Sequence, residues 1–197
     1  MNALPTGAPD HGWFVERLTS TMSFGNGTGL LIEDWSIVAE RALNSVLIDL
    51  NLDPELSDPR RGAAGDRRFV DAIGAEVVPG AEVSDATGRR AVVLRLPNPI
   101  GPRQSHDFHL RMPIPGADLV ERHVCEPLVR CRWLEVRVHF DRSSVPARVC
   151  AIAGDPHRPG PDLSASPQVP VNLVGEAEIH FDETVLGRRY GLDWSAS

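Results

Sequence analysis

At 197 residues the chain is long enough to bury one substantial core, so one domain, or a small domain with an appendage, is expected. A formal charge of −7 disfavours a nucleic-acid footprint, because displacing counterions from phosphates needs a net basic face. The 20 cations are all arginine, a bias that fits a GC-rich coding genome better than selection for arginine chemistry.

The opening MNALPTGAPDHGW has neither a basic n-region nor an apolar h-region before Pro5 and Asp10 interrupt it, so it does not read as a secretory signal. Apolar residues nowhere run long enough to span a bilayer. Cys125, Cys131 and Cys150 make an odd set in a chain large enough to fold without disulfides, which suits reduced thiols and a cytoplasmic setting.

Residues 1–33 hold glycine and polar clusters around Trp13, Phe14 and Phe24, with a short helix expected from about Trp13 to Thr21. The run Gly25-Asn26-Gly27-Thr28-Gly29 shares its glycines with phosphate loops, but no clear strand precedes it and no lysine follows, so it reads as a flexible turn. From Asp34 onward, Trp35, Val38, Ala42, Val46 and Leu50 recur at three- and four-residue steps, with Ile37, Leu43 and Leu47 widening the stripe. That period predicts an amphipathic helix over 34–50. Asp34 serves as its N-cap and Asp53-Pro54 as its stop, since the residue before proline avoids the α region. Pro54 to Asp66, with two Asp-Pro steps, reads as an exposed connector.

Beyond Asp66 the period changes to two. In LEVRVHFD, Leu134, Val136, Val138 and Phe140 alternate with Glu135, Arg137, His139 and Asp141, which gives a strand with one core face and one wet face. Shorter strands are expected at Arg90 to Leu96, Asp107 to Met112, Arg148 to Ile152, Ala177 to Asp182 and Tyr190 to Trp194. Many short strands without intervening helices favour a sandwich or barrel. Gly154 to Pro170 is proline-rich and reads as a long loop. Gly187 lies three residues before Tyr190, as in a tyrosine corner, where the phenol bonds backbone a few residues upstream.

Through PLVRC, LEVRVHFD followed by VPARV, GEAEIHF and GRRYGLDW, residues 105–194 resemble the C-terminal β-rich domain of actinobacterial helix-turn-helix regulators of the XRE type. These are core, turn and strand residues, and no catalytic residue is carried over. A helix-turn-helix needs two short helices with a basic recognition face, and residues 34–51 do not supply it. The resemblance therefore implies a β-sandwich effector or interaction module without the DNA-binding domain.

The most site-like cluster is His106, Asp107 and His109, with His123 and Cys125 a short way on. Imidazole, carboxylate and thiol are zinc-ligand types, but the spacing matches no standard zinc pattern, and on a strand His106 and Asp107 face opposite ways. As acid or base, His106 or His109 has a suitable pKa range and Asp107 can orient one of them, but no nucleophile pairs with them and Ser105 lies outside any G-x-S-x-G elbow. His139 and His180 are expected on wet strand faces, in a cross-strand ladder with Glu135, Arg137, Glu178 and Asp182. Pro127 and the wide spacing of Cys125 and Cys131 argue for free thiols.

These readings combine into an α+β chain. Residues 1–66 form a helical N-terminal segment with its connector, packed on residues 67–197, an antiparallel β-sandwich of immunoglobulin or fibronectin type. The core is expected to include Val38, Ala42, Val46, Leu50, Leu134, Val136, Val138, Phe140, Ile179, Phe181 and Tyr190. The function expected is that of a non-catalytic accessory or regulatory module that binds a partner protein, a second copy of itself or a small effector. No nucleic acid, membrane, metal or cofactor is involved, and contact is made through the helix, Trp13 and Phe14, and the Gly154 to Pro170 loop. The competing expectation is a small enzyme of specialised metabolism, or a subunit of one, with His106, Asp107, His109 or His123 as acid-base groups in a helix-sheet pocket.

Overall fold

Alternation of inward and outward side chains is what a half-buried strand imposes on a sequence, and it governs most of the strands of this chain. The computed structural model describes residues 11–25, 28–50, 70–80, 83–84, 90–115, 121–155 and 166–194. Its strands are β1 (Trp13–Gly25), β2 (Thr28–Ala39), β3 (Leu43–Leu50), β4 (Asp71–Ile73), β5 (Glu76–Val77), β6 (Val83–Ser84), β7 (Arg90–Ile100), β8 (Ser105–Pro115), β9 (Arg122–Cys125), β10 (Trp133–His139), β11 (Val149–Asp155), β12 (Glu176–Asp182) and β13 (Arg189–Trp194). Among the described residues there is no helix, and so none long and apolar enough to cross a membrane.

A six-stranded sheet in the order β12-β10-β1-β2-β8-β4 forms the broadest layer. Its β1–β10 pair is parallel and the others are antiparallel. A three-stranded sheet, β11-β13-β9, lies against its inner face, where Trp194 meets Phe140 edge-on at 5.2 Å and Phe24 at 5.7 Å. The third sheet runs β3-β7-β5, with β6 also on β7. One continuous apolar core joins all three, and Phe108, Leu110, Leu31, Leu134, Leu94 and Ile48 are among its fully buried side chains.

The expected helices at Trp13 to Thr21 and 34–50 are therefore corrected. The first lies in β1, and the second is the end of β2, a turn and all of β3. Among the described residues the fold is all-β, not α+β, and its pairs extend beyond an antiparallel two-sheet sandwich. In β2 the buried side chains are Leu31, Glu33, Trp35, Ile37 and Ala39, and in β3 Val46, Ile48 and Leu50. Both runs have the period of two. The turn between them is held by Gly12, whose carbonyl accepts from the Glu40 N–H at 2.8 Å and the Arg41 N–H at 3.3 Å. Val38 points to the outer side and is half-buried, and Ala42 is exposed in the turn, so neither is a core residue. Val46, Leu50, Leu134, Val136, Val138, Phe140 and Tyr190 are buried as expected, while Ile179 and Phe181 pack half-buried against the core.

The strands expected downstream overlap β7, β8, β10, β11, β12 and β13, with Arg148 just before β11 and Phe140 and Asp141 just after β10. The Pro54 to Asp66 connector, the 66/67 division, Asn26, Gly27 and residues 156–165 of the proline-rich loop lie outside the described residues. The tyrosine corner is present, with the Val185 N–H donating to the Tyr190 hydroxyl at 2.8 Å and Gly187 in the left-handed region at φ 68°. Tyr190→Phe removes that acceptor and should lower stability by about 1 kcal/mol, read as a shift in the urea midpoint at constant slope.

Candidate functional site

Where β1 and β2 cross the core, the inward positions Ser20 and Glu33 stand directly opposite each other in the register. Both are fully buried, although the period of two reserves these places for apolar residues. A buried polar side chain is tolerated when its hydrogen bonds are made, and here they form a chain. The Ser20 hydroxyl donates to Glu33 Oε1 at 3.3 Å, Trp35 Nε1 donates to Glu33 Oε2 at 3.2 Å, and His123 Nε2 lies 3.0 Å from Ser20 Oγ. Ser20 has one proton and gives it to Glu33, so it must accept from His123, which assigns the N–H to Nε2.

His123 and Cys125 share the inward face of β9. Burial pushes His123 down from 6.5 to about 4, opposed in part by its bond to Ser20. Burial also pushes the Cys125 thiol up, with the Glu33 charge adding to the effect, and holds Cys131 up at about 12. The imidazole is neutral and both sulfurs remain thiols at physiological pH. Serine here bridges histidine and carboxylate, whereas a nucleophilic triad needs histidine in the middle to take the serine proton. The arrangement can bolt two sheets together and store a proton preference.

The four residues expected as acid-base groups are not brought together. His106 lies on the inner side of β8, donates to the Gly74 carbonyl at 2.7 Å and stacks on Phe108 at 6.4 Å. Asp107 and His109 point to the outer side, where His109 pairs with Asp34 across the β2–β8 ladder. His123 alone is in the core. Cys125, Cys131 and Cys150 are all buried, and none of them is in a disulfide. Among the described residues no group of three or more His, Cys, Asp or Glu side chains is placed to hold a metal ion.

The outer side of β10 and β12 carries the expected ladder. Glu135 stands opposite His180, Arg137 opposite Glu178 and His139 opposite Glu176. Arg137 Nε bonds Glu135 at 2.8 Å and lies 3.6 Å from Glu178, while His139 lies 3.3 Å from Glu176 and His180 stacks on Trp133 at 4.7 Å. Exposed pairs of this kind are each worth a fraction of a kcal/mol to about one. Phe14 and Trp13, expected as a contact surface, are buried, and Phe14 is roofed by the Arg130 and Arg132 guanidinium groups at 4.3 and 4.7 Å from its ring centre.

Sequence reasoning missed two features. One is the Ser20–Glu33 pair, visible only once the β1–β2 register is known. The other is the turn before β12, where Leu173 is fully exposed and Val174 is 57 % exposed. Asn172 fixes that turn, because its side-chain oxygen accepts from the N–H groups of Val174 and Glu176, both at 3.0 Å, and its carbonyl accepts from Gly175 at 3.0 Å. Gly175 in turn accepts from the Phe140 N–H at 2.9 Å, tying the turn to the end of β10. The signal in the sequence was an apolar pair, Leu-Val, between Asn and Gly, where turns ordinarily carry polar residues.

No protein-family model matches the chain, and no curated protein sequence matches it. Among solved structures it is similar to an M1 zinc metallopeptidase from Deinococcus radiodurans, at 12 % identity and a TM-score of 0.47, over 96 % of this chain and 44 % of that one. A mutant two-domain M1 zinc metallopeptidase bound to L-arginine gives 13 % identity and a TM-score of 0.44, over 92 % and 42 %. The chain thus spans less than half the length of these peptidases. Likeness at this level assigns no activity.

Proposed function

We propose that the chain is a non-catalytic accessory module that binds a protein partner, with the Asn172–Gly175 turn as its anchor. The observation that carries this reading is the turn itself, which holds a fully exposed Leu173 beside Val174 on a backbone fixed by Asn172. Val145, also exposed, lies against Gly175 and extends the apolar surface. Exposed leucine gains about 2 kcal/mol on burial, and a turn already ordered gives up little entropy to obtain it. Alongside, the outer positions of β10 and β12 carry Glu135, Glu176, Glu178 and Asp182 against the single Arg137. Such a surface suits a protein with an apolar pocket beside a basic rim, the acidic ladder steering the encounter and the leucine filling the pocket.

Leu173→Asp tests the reading, because the side chain touches solvent and its replacement should leave the melting temperature unchanged. A protein retained on the immobilised wild-type chain should bind the variant about 30-fold more weakly, as expected for loss of a central anchor. Equal retention of every bound protein by wild type and variant would refute the assignment of this turn.

A further inference from the structure

Sheet β11-β13-β9 meets the six-stranded sheet mainly through apolar contacts, and the His123–Ser20 bond is a polar connection between the two layers. His123 is 1 % exposed, and its Nδ1 has no hydrogen-bond partner among the described residues. In the neutral form Nδ1 is a bare lone pair, a modest cost. Protonation would place a donor there with no acceptor among the described residues, and burial penalises the charged imidazole by more than its bond to Ser20 offsets.

The groups that face this imidazole are few. Ser20 approaches from β1, Glu33 stands behind Ser20 on β2, Cys125 shares its face of β9, and Leu192 lies opposite it on β13. Cys131, near Cys125, is a neutral thiol at any relevant pH. Arg122 and Asp193 oppose each other on the other side of the β9–β13 ladder. We propose that the His123–Ser20–Glu33 chain is an acid-sensitive latch between the two sheets, closed while His123 is neutral and released when it takes up a proton. This is a property of the core and is independent of the docking surface.

The sign follows from the two states of β9. Once β9 is detached, His123 regains an ordinary value near 6.5, whereas in the closed latch burial holds it at about 4. Above pH 6.5 neither state is protonated and the latch is at full strength. Between 6.5 and 4 only the detached state binds the proton, so closure weakens about tenfold per pH unit, to a limit of about 300-fold below pH 4.

Native-state hydrogen exchange of the full chain tests this at pH 7.5 and 4.5, after correction for intrinsic exchange rates. Amides of β9 and β13 should lose about 100-fold in protection relative to those of β1 and β2 in the wild type. In His123→Gln, which cannot be protonated, that selective loss should vanish. Selective loss persisting in the variant would overturn the latch, as would uniform behaviour of both sheets in the wild type. Should the variant fail to fold, NMR titration of the wild-type imidazole decides: a midpoint near 4 supports the proposal, and one near 6.5 without loss of β9 protection overturns it.

Discussion

Gly191→Ala is expected to lower stability by about 3 kcal/mol, and the melting temperature by about 10 °C for a chain of this size. Gly191 is central in β13, opposite Val124 on β9 and Ile152 on β11. A methyl group added there would overlap the His123 carbonyl oxygen and lie 3.0 Å from both the His123 carbonyl carbon and Val124 Cα. These are backbone atoms, which cannot swing aside as a side chain does. Since β13 is hydrogen-bonded on both edges, any retreat from β9 strains its pairing with β11. Gly25→Ala is the control, because nothing lies within 4 Å of the added atom, and it should change stability by less than about 0.5 kcal/mol. Thermal unfolding of the two variants side by side is the measurement. Coincident melting curves would mean that β9 does not pack against Gly191 as described.

The steric demand at Gly191 also shows what the sequence hides. A glycine between Tyr190 and Leu192 marks a close backbone approach on general grounds, but the approaching atom belongs to His123, far away in sequence. Within β10 and β12 the strands were legible because inward positions are apolar and outward ones mostly charged or polar. Within β1 and β2 that contrast fails on both sides. Ser20 and Glu33 put polar groups inward, whereas Leu30, Ile32 and Val38 put apolar groups outward. With both faces mixed, Trp35, Val38, Ala42, Val46 and Leu50 simulate a helical stripe. The turn that breaks it, Glu40-Arg41-Ala42, contains no glycine, proline or asparagine, and is specified instead by backbone bonds to the distant Gly12.

The same reasoning sorts the candidate site residues. The alternation His106, Phe108, Leu110 against Asp107, His109 already implied that His106 and Asp107 face opposite ways, and the structure places them on opposite sides. That His123 and Cys125 share one face was equally legible from their spacing. Their counterparts Ser20 and Glu33 were not, because a polar residue in a strand is assigned outward unless a partner across the sheet is known. The buried network is thus a tertiary property. It exists only because β1 and β2 pair with Ser20 facing Glu33, and because β9 is then laid across them.

Phe108→Ala carries the second large effect, a loss of about 4 kcal/mol. Phe108 is fully buried at the middle of β8, and its ring stacks on Trp35 at 5.9 Å with the planes 10° apart. Truncation removes the transfer energy of the ring and leaves a cavity beside the indole. The β8 backbone cannot close that cavity, because β2 and β4 hold it on both edges. The damage should reach beyond packing, since Trp35 Nε1 is a hydrogen-bond donor to the buried Glu33. An indole free to tilt releases that donor, and the carboxyl group then faces the core less well satisfied. Phe108→Leu, which refills most of the volume, should cost only about 1 kcal/mol and keep Trp35 in place. Chemical denaturation gives the two energies, and the near-ultraviolet dichroism of the tryptophans reports whether the indole has moved. A Phe108→Ala protein within about 1 kcal/mol of the wild type, with an unaltered tryptophan spectrum, would show that the ring does not support Trp35.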